Sequence, residues 1–286
     1  MCMQNQHRDD FIKILEKIKP SKHSYEIFSD WLIMSAASLY SWKKDEAVEE
    51  EYMNIAKQYT KEELDQHGHL LAITVEALEK KEEDFLGEVF TTAGLTNERN
   101  GQFFTPYNVS LMMAKMIMGV NELPAGRVCK INDPTCGAGG MLIAGAMVMK
   151  ERGFNYQNSA LFVGQDIDPR CARMAFIQLS LLGVPAIIYC MNTLTMQEYW
   201  HRETIGYHMA GMEWRLKTEA LLENIKDITK PISESEVEEV KEKPNEITLP
   251  STRGVQGELF AMDDIQIFSR NSDFKSEKNK EKEKVS

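Results

Sequence analysis

The sequence predicts an α/β protein in which a parallel sheet with connecting helices follows an all-helical N-terminal region. Two observations support this prediction. Apolar residues recur at helical spacing through the first part of the chain, and short apolar runs then alternate with amphipathic stretches. The predicted boundaries are a helical region over 1–100, an α/β domain over 101–228, and an acidic linker with a largely disordered tail over 229–286.

Four segments of the N-terminal region carry apolar residues at the spacing of one helix face. These segments are FIKILEKI, YEIFSDWLIMSAASLY, EEYMNIAKQY and LLAITVEAL. Thr60 followed by Glu63 predicts a capping box at the start of one helix. Trp31 and Leu32 fall on an apolar face, so we expect them to belong to the core and not to contact a ligand.

Strands and helices alternate in the next part of the chain. The predicted elements are a helix over 109–120, a strand over 127–133, a helix over 139–150, a strand over 161–167, a helix over 169–182 and a strand over 185–192. Pro169 is favourable in the first turn of its helix. Because crossovers between parallel strands are right-handed, this order predicts a parallel sheet with helices packed on it.

Beyond Leu194 the alternation ends. The sequence predicts one or two helices over 197–228, a solvated linker over 226–246, and apolar fragments over 247–268 that dock as strands or as a peptide. From Ser269 onward the composition predicts disorder. With three predicted strands, the first strand has an unpaired edge unless a later segment or another chain covers it.

Charge and hydropathy limit the possible functions. The formal net charge is −11, which disfavours a protein that binds nucleic acid by itself over a broad surface. A partner subunit can supply such a surface. No apolar run approaches the length of a membrane span, and MCMQNQHRDD does not resemble a secretory signal, so we expect a cytoplasmic protein.

The cysteines and histidines do not predict a metal site. The scattered cysteines are Cys2, Cys129, Cys136, Cys171 and Cys190. Because none forms a CxxC pair, neither a zinc site nor a disulfide framework is expected. The pairs His67 with His69 and His201 with His208 lack neighbouring cysteines or carboxylate clusters, so surface or partly buried histidines are favoured. The charge run KKEED is predicted to be a solvated helix face.

The run DPTCGAGG joins the first predicted strand to the following helix. Gly137, Gly139 and Gly140 carry no Cβ, so the backbone can approach a ligand closely, and the helix N-terminus offers N–H donors. Asp133 can accept a hydrogen bond from a ligand ammonium. A dinucleotide fingerprint fails because Leu142 stands where a third glycine is needed, and no Walker lysine is present. The alternative is a glycine turn without a ligand.

Polar residues also end the second and third predicted strands. Asp166 stands where an acidic side chain can accept both hydroxyls of a ribose. Asp168 precedes Pro169 and is predicted to cap the helix that begins there. Asn192 either reaches an adenine edge with its amide or serves only as a turn residue.

These motifs, in this order, resemble those of one family. GQFFTP, DPTCGAGGML, GQDIDP and NTL are similar to the S-adenosylmethionine (SAM) motifs of adenine-N6 DNA methyltransferases, most closely the modification subunit of type I restriction–modification systems. DFLGEVF resembles the end of that subunit's helical domain. The resemblance covers residues 84–194 well, the preceding helices loosely and the C-terminal third not at all. It implies a Rossmann-like SAM-dependent methyltransferase fold, here with an incomplete sheet, and SAM as the cofactor.

The resemblance also implies which residues bind SAM. They are Phe104, Thr105 and Pro106 at the methionine end, Asp133, Thr135, Gly137, Gly139 and Gly140 beneath it, Asp166 at the ribose, and Ile167 and Asn192 at the adenine. Cys136 is implied to be a small loop residue and not a nucleophile. The implied partners are DNA, bound through or with a partner subunit, and a specificity subunit or a second methyltransferase half.

The family's catalytic motif is missing. That motif is Asp, Asn or Ser followed by two prolines and an aromatic residue, and this chain has no two consecutive prolines. The catalytic residues are therefore unknown from the sequence. Two functions stay open: adenine-N6 methylation of DNA within a restriction–modification or mobile-element system, or a catalytically inactive SAM-binding module that regulates or assembles with other proteins.

Overall fold

A computed structural model describes residues 3–95, 103–118, 128–210 and 266–267 of the chain. The helices are α1 (Met3–Ile18), α2 (Ser24–Tyr40), α3 (Glu46–Ala56), α4 (Lys61–Lys80), α5 (Phe85–Thr92), α6 (Tyr107–Met118), α7 (Gly140–Glu151), α8 (Tyr156–Ser159), α9 (Pro169–Leu181) and α10 (Ile205–Met209), with a 3-10 helix at Ser41–Lys43. The strands are β1 (Cys129–Asp133), β2 (Ala160–Asp166), β3 (Ala186–Asn192), β4 (Gln197–Glu203) and β5 (Gln266–Ile267).

The N-terminal region is helical, as the apolar spacing predicts. The expected capping box opens α4: Thr60 accepts from the backbone N–H of Glu63, and the Glu63 carboxylate accepts from the backbone N–H of Thr60. Aromatic side chains fill the core between these helices. The Phe11 ring packs edge-on against Trp31 at 5.0 Å and against Phe85 at 6.1 Å between centroids. Trp31 is fully buried, which confirms its predicted place in the core.

The sheet has the strand order β4-β3-β2-β1-β5. The pairs β1–β2 and β2–β3 are parallel, as predicted, and their register sets Asp133 opposite Gly164 and Asp166 opposite Cys190. Helices α7 and α9 pack on one face of this sheet. A Cβ at Gly145 of α7 would contact Ile131 of β1 at 3.4 Å, so the glycine lets helix and strand approach closely.

The prediction of a helix directly after Leu194 is wrong. Residues 197–203 form β4, which pairs antiparallel with β3 and has an irregularity in register between Cys190 and Met191. The segment QEYWHRE lacks apolar alternation because β4 is a largely exposed strand at one edge of the sheet; besides its pairing with β3, it is held by the buried Arg202, which pairs with Glu51, and by Trp200, which packs against the core. Residues 211–228, the rest of that predicted helical stretch, lie outside the described residues.

The second edge of β1 is partly covered by a later segment, one of the two options that the sequence leaves open. Gln266 and Ile267 of β5 pair in parallel with Ile131 and Asn132 of β1. The predicted linker, most of the apolar fragments and the predicted tail lie outside the described residues.

One hydrophobic core joins the helical region to the sheet. Buried side chains from α1, α2, α4 and α5 belong to the same cluster as those of α7, α9, β2 and β3. The Tyr40 ring of α2, for example, packs edge-on against Phe176 of α9 at 5.9 Å between centroids. Within the described ranges, none of the helices is both long enough and apolar enough to cross a membrane.

Candidate cofactor site

The predicted site residues of three strands meet at one edge of the sheet. Asp133 is the last residue of β1, Asp166 the last of β2 and Asn192 the last of β3. Because these three strands are parallel, their carboxyl ends lie side by side. In open α/β sheets this edge is where ligands bind. Ile167, directly after β2, is 58% exposed at the same edge and is available to a ligand.

The loop between β1 and α7 needs its glycines for backbone conformation. Gly137 and Gly139 have φ values of 56° and 92°, in the left-handed region that side chains with a Cβ rarely adopt. Cys136 ties this loop to β2 by donating its backbone N–H to the Gln165 carbonyl at 2.8 Å. This hydrogen bond and the two left-handed glycines fix the backbone between the end of β1 and Gly140, the first residue of α7.

Asp133 is a buried carboxylate at the start of this loop. Its exposed fraction is 3%, and Oδ1 accepts a hydrogen bond from the backbone N–H of Thr135 at 3.1 Å. Burial, together with the nearby charge of Asp166, raises the pKa of Asp133 to about 7. A cation bound beside it would favour the ionised form, so the group is suited to a positively charged ligand.

Asp166 connects the glycine loop after β1 to the turn after β2. Its Oδ2 accepts from the backbone N–H of Gly137 at 2.9 Å, and its Oδ1 accepts from the backbone N–H of Asp168 at 2.9 Å. Burial raises the pKa of Asp166 to about 6, although these hydrogen bonds oppose the shift. Each carboxylate oxygen can accept a further hydrogen bond, so a ligand hydroxyl has an acceptor here.

Asp168 has the capping role that the sequence predicts. It is the N-cap of α9, where Oδ1 accepts from the backbone N–H of Arg170 at 2.9 Å, and Pro169 begins the helix. Its carboxylate also pairs with the Arg170 guanidinium. Asp168 is therefore bound within its own helix turn, which separates its role from that of Asp166.

Asn192 forms a turn, the plainer of its two predicted roles. Its Oδ1 accepts from the backbone N–H groups of Leu194 at 3.0 Å and Thr195 at 3.2 Å. These bonds use the carbonyl side of the amide and turn the chain from β3 into β4. The contact with adenine stays a prediction, in which the NH₂ group of Asn192 would donate a hydrogen bond to the adenine.

Phe104 lies against the glycine loop. A Cβ at Gly137 would be 3.3 Å from the ring of Phe104, and this ring packs edge-on against Phe90 of α5 at 5.5 Å between centroids. The Pro106 carbonyl accepts from the backbone N–H of Val109 at 2.9 Å, in the first turn of α6. Thr105 is partly exposed between them. Gly101 and Gln102 of the same motif lie outside the described residues.

The prediction that KKEED is a solvated helix face is wrong at its end. Glu83 and Asp84 are 7% exposed, because they connect α4 to α5 in the interface with the sheet's helices. Asp84 caps α5 by accepting from the backbone N–H of Gly87 at 2.9 Å. The sequence did not indicate that this carboxyl group touches the glycine loop. An Asp three residues before Gly87 was the available signal, since it matches an N-cap position.

Among the described residues, no group of three or more histidines, cysteines or carboxylates is found that could hold a metal ion. Cys136 is buried in the glycine loop, and burial raises the pKa of its thiol well above the ordinary value. A thiol of this kind is a poor nucleophile. His67 is also buried, and burial lowers its pKa to about 4. It is therefore a neutral core histidine.

Comparison with known proteins assigns a family to this arrangement. The family model of the N-6 DNA methylases matches residues 81–236, more than half of the chain. Among solved structures, a class I SAM-dependent methyltransferase from Listeria monocytogenes is similar with 13% identity and a TM-score of 0.38, over 73% of this chain and 70% of that one. No curated protein shows significant similarity.

A second solved structure is the methyltransferase subunit of a type I restriction–modification system from Streptococcus thermophilus. It is similar with 14% identity and a TM-score of 0.32, over 64% of this chain and 56% of that one. This chain therefore spans little more than half the length of that subunit. With TM-scores below 0.5, neither structure adds to what the family match shows.

Proposed function

This chain belongs to the N-6 DNA methylase family, and from that premise we propose that it methylates the N6 amine of adenine in DNA. Its cofactor is SAM. One observation supports the proposal most directly. Two carboxylates, the buried Asp133 and the half-buried Asp166, meet a glycine loop with left-handed backbone at the carboxyl edge of a parallel sheet.

The residues at this edge fit SAM in charge and in shape. SAM carries an ammonium and a sulfonium, and the two carboxylates, whose pKa values burial raises, gain most from a cation beside them. Gly137 and Gly139 adopt the left-handed backbone that this tight loop requires, and the places of their missing Cβ atoms are closed by Phe104 and Ala175, which fixes the loop beside the carboxylates. The exposed Ile167 side chain offers an apolar surface to an adenine ring.

We assign the binding roles as follows. Asp133 would accept from the ammonium of SAM, with Thr135 and Gly140 in the same loop. Asp166 would accept from the ribose hydroxyls while it holds the Gly137 N–H, so ribose binding and loop shape depend on one carboxylate. The remaining contacts would come from Phe104, Thr105 and Pro106 at the methionine end, Gly137 and Gly139 beneath it, and Ile167 and Asn192 at the adenine.

The acceptor side of the reaction needs residues from elsewhere. When bound, SAM supplies an electrophilic methyl group, and the adenine amine that receives it loses a proton. The sequence has no consecutive prolines, so the family's motif for holding that amine is missing. We propose that a second polypeptide supplies this motif and the recognition of the DNA sequence, in a restriction–modification or mobile-element system.

The absence of that motif also favours one alternative function. A chain that binds SAM but holds no acceptor would act as a regulatory or assembly module without catalysis. Both functions require the same cofactor site, so they differ only in whether a methyl group is ever transferred.

Radiolabelled SAM tests the cofactor site first. We expect the purified chain to bind it in equilibrium dialysis, and Asp133→Ala and Asp166→Ala each to raise Kd by at least about tenfold, because each removes a charged hydrogen-bonding group. Asp45→Ala is the matched control, since Asp45 caps the exposed α3 and should leave Kd unchanged. A wild-type chain that binds no SAM would overturn both functions.

Methyl transfer separates the two functions. The chain is incubated with radiolabelled SAM and adenine-containing DNA, with and without the polypeptides encoded beside it. Label on adenine N6 in any combination supports the methyltransferase. SAM binding with no transfer in every combination supports the inactive module instead.

A further inference from the structure

One buried amide side chain joins the helical region to the cofactor loop. Gln178 of α9 is fully buried, and its Nε2 donates to Asp84 Oδ1 at 2.8 Å and to the Ala138 carbonyl at 2.9 Å. Its Oε1 accepts from the backbone N–H of Leu86 in α5 at 3.0 Å. Both hydrogens and the oxygen of this amide are therefore used, and each goes to a group far away along the chain.

Asp84 is the second member of this contact. Besides Gln178, its carboxylate accepts from the backbone N–H of Gly87, and burial raises its pKa. The carboxyl group also lies directly against two glycines. A Cβ at Gly87 would lie 2.2 Å from Asp84 Oδ2, and a Cβ at Gly140 would lie 2.9 Å from it. Both helices, α5 and α7, thus begin against this one side chain.

Helix α9 contacts the glycine loop at Ala175 as well as at Gln178. A Cβ at Gly139 would lie 3.2 Å from the Cβ of Ala175, one turn before Gln178. The carbonyl that Gln178 holds belongs to Ala138, between the two glycines with left-handed backbone. Because a buried carbonyl must be paired, this hydrogen bond selects one orientation of the peptide at the centre of the loop.

The segment before α5 is anchored on its other side as well. The Glu82 carbonyl accepts from the Tyr107 hydroxyl of α6 at 3.0 Å, and the Glu82 carboxylate pairs with Lys150 of α7 at 2.6 Å. The connection between α4 and α5 is therefore fixed to α6 and to the last turn of α7, while Asp84 lies against Gly140 at the first turn of α7.

We propose that Asp84 and Gln178 are positioning residues, which hold Ala138–Gly140 in the conformation that binds SAM and couple this loop to the helical region. The inference rests on the proposed cofactor site. Neither side chain contacts SAM in this proposal; both act through the loop backbone. Restraint of the loop by SAM is transmitted through Gln178 to the first amides of α5, so cofactor binding stabilises the helical region.

The test compares two variants with a control. Gln178→Met keeps an unbranched side chain of similar length and removes all three hydrogen bonds, and Asp84→Ala removes the carboxylate that accepts from Gln178 and from the Gly87 N–H. Tyr59→Phe removes a buried hydrogen bond of the helical region, from the Tyr59 hydroxyl to Asp30 at 2.6 Å. Kd for radiolabelled SAM, the thermal midpoint and amide hydrogen exchange are measured for each full-length chain.

We expect Gln178→Met to raise Kd for SAM on the order of tenfold. In the wild-type chain SAM should slow exchange at the amides of Leu86 and Gly87, and in this variant it should not. Tyr59→Phe should lower the thermal midpoint while Kd and the SAM-dependent protection stay as in wild type. A merely structural role of Gln178 would not produce that difference.

Three results would overturn the inference, and a fourth would overturn the cofactor site on which it rests. Wild-type Kd and protection in Gln178→Met would overturn the inference, and so would an equal rise of Kd in Tyr59→Phe. If Gln178→Met does not fold, Asp84→Ala, which removes the acceptor for Gln178 and Gly87, carries the same test, and wild-type behaviour there overturns the inference. A wild-type chain without SAM binding would overturn the cofactor site itself, which is a different failure.

Discussion

The two neighbours of β1 in the sheet, β2 and β5, pair with it over different lengths. On one side, every residue of β1 from Cys129 to Asp133 pairs in parallel with β2. The carboxylates of the site end these two strands, and its glycines lie in the loop after β1. Towards β5, the pairs involve Ile131 and Asn132, and in the part of the chain that the structure describes no strand lies beyond β5.

This difference follows from how each side is encoded. On the β2 side each functional loop directly follows its own strand, so a few consecutive residues fix both the turn and the chemistry. On the β5 side the neighbouring strand comes from more than a hundred residues later in the chain. The residues that end β1 and β2 can thus be recognised from local sequence, whereas in the proposed function the residues that hold the acceptor come from another polypeptide.

The largest expected effect is on the β2 side, at Gly139. Gly139→Ala places a Cβ at a φ of 92° and 3.2 Å from Ala175, so we expect a loss of about 2 to 4 kcal/mol in the free energy of unfolding and loss of SAM binding. Gly153→Ala is the control: its φ is 81°, but nothing lies within 4 Å. That variant should lose about 1 to 2 kcal/mol and keep SAM binding. Equal losses in both would contradict the close packing.

The next effect is the pH dependence of SAM binding. Since folding raises the pKa of Asp133 from 3.8 to about 7, the folded chain binds more protons than the unfolded one in that window, and this group's contribution to stability falls as pH rises through it. A cationic cofactor requires the ionised form. Dialysis should therefore show the affinity for SAM rising by up to about tenfold per pH unit below pH 7. Asp133→Asn should lose the slope between about pH 6 and pH 7 and keep only the part below pH 6 that Asp166 contributes, and an unchanged slope would contradict the assignment.

A smaller effect distinguishes the two roles of Asn192. Asn192→Asp keeps an acceptor for the backbone N–H groups of Leu194 and Thr195 and removes the NH₂ donor. We expect an unchanged thermal midpoint and a Kd for SAM raised by about fivefold, the cost of one lost hydrogen bond. Asn192→Ala should lower both stability and affinity. If Asn192→Asp binds SAM like wild type, Asn192 is a turn residue and nothing more.

The same contrast explains what the sequence could predict. Asp133, Asp166 and Asn192 could be placed at strand ends because each follows an apolar run directly. The burial of Asp84 could not be predicted, since it depends on Gln178, 94 residues away. The strand β4 could not be predicted for a related reason: its residues have no apolar alternation, and its inward-facing side chain Arg202 is held by Glu51, 151 residues away.

The smallest expected effect is on the β5 side. Deletion of residues 266–286 removes β5 and unpairs the edge at Ile131 and Asn132, but it touches neither the glycine loop nor the carboxylates after β1 and β2. Although Asn132 neighbours Asp133, the pairing of β1 with β2 and the Thr135 N–H still hold Asp133, so Kd for SAM should stay within about twofold in dialysis, while the exposed edge favours self-association in gel filtration. Full-length Gln266→Pro, which loses one backbone donor, is the matched control. A rise of Kd beyond about tenfold would show that the pairing of β1 with β5 is coupled to SAM binding, contrary to the contrast drawn between the β2 and β5 sides.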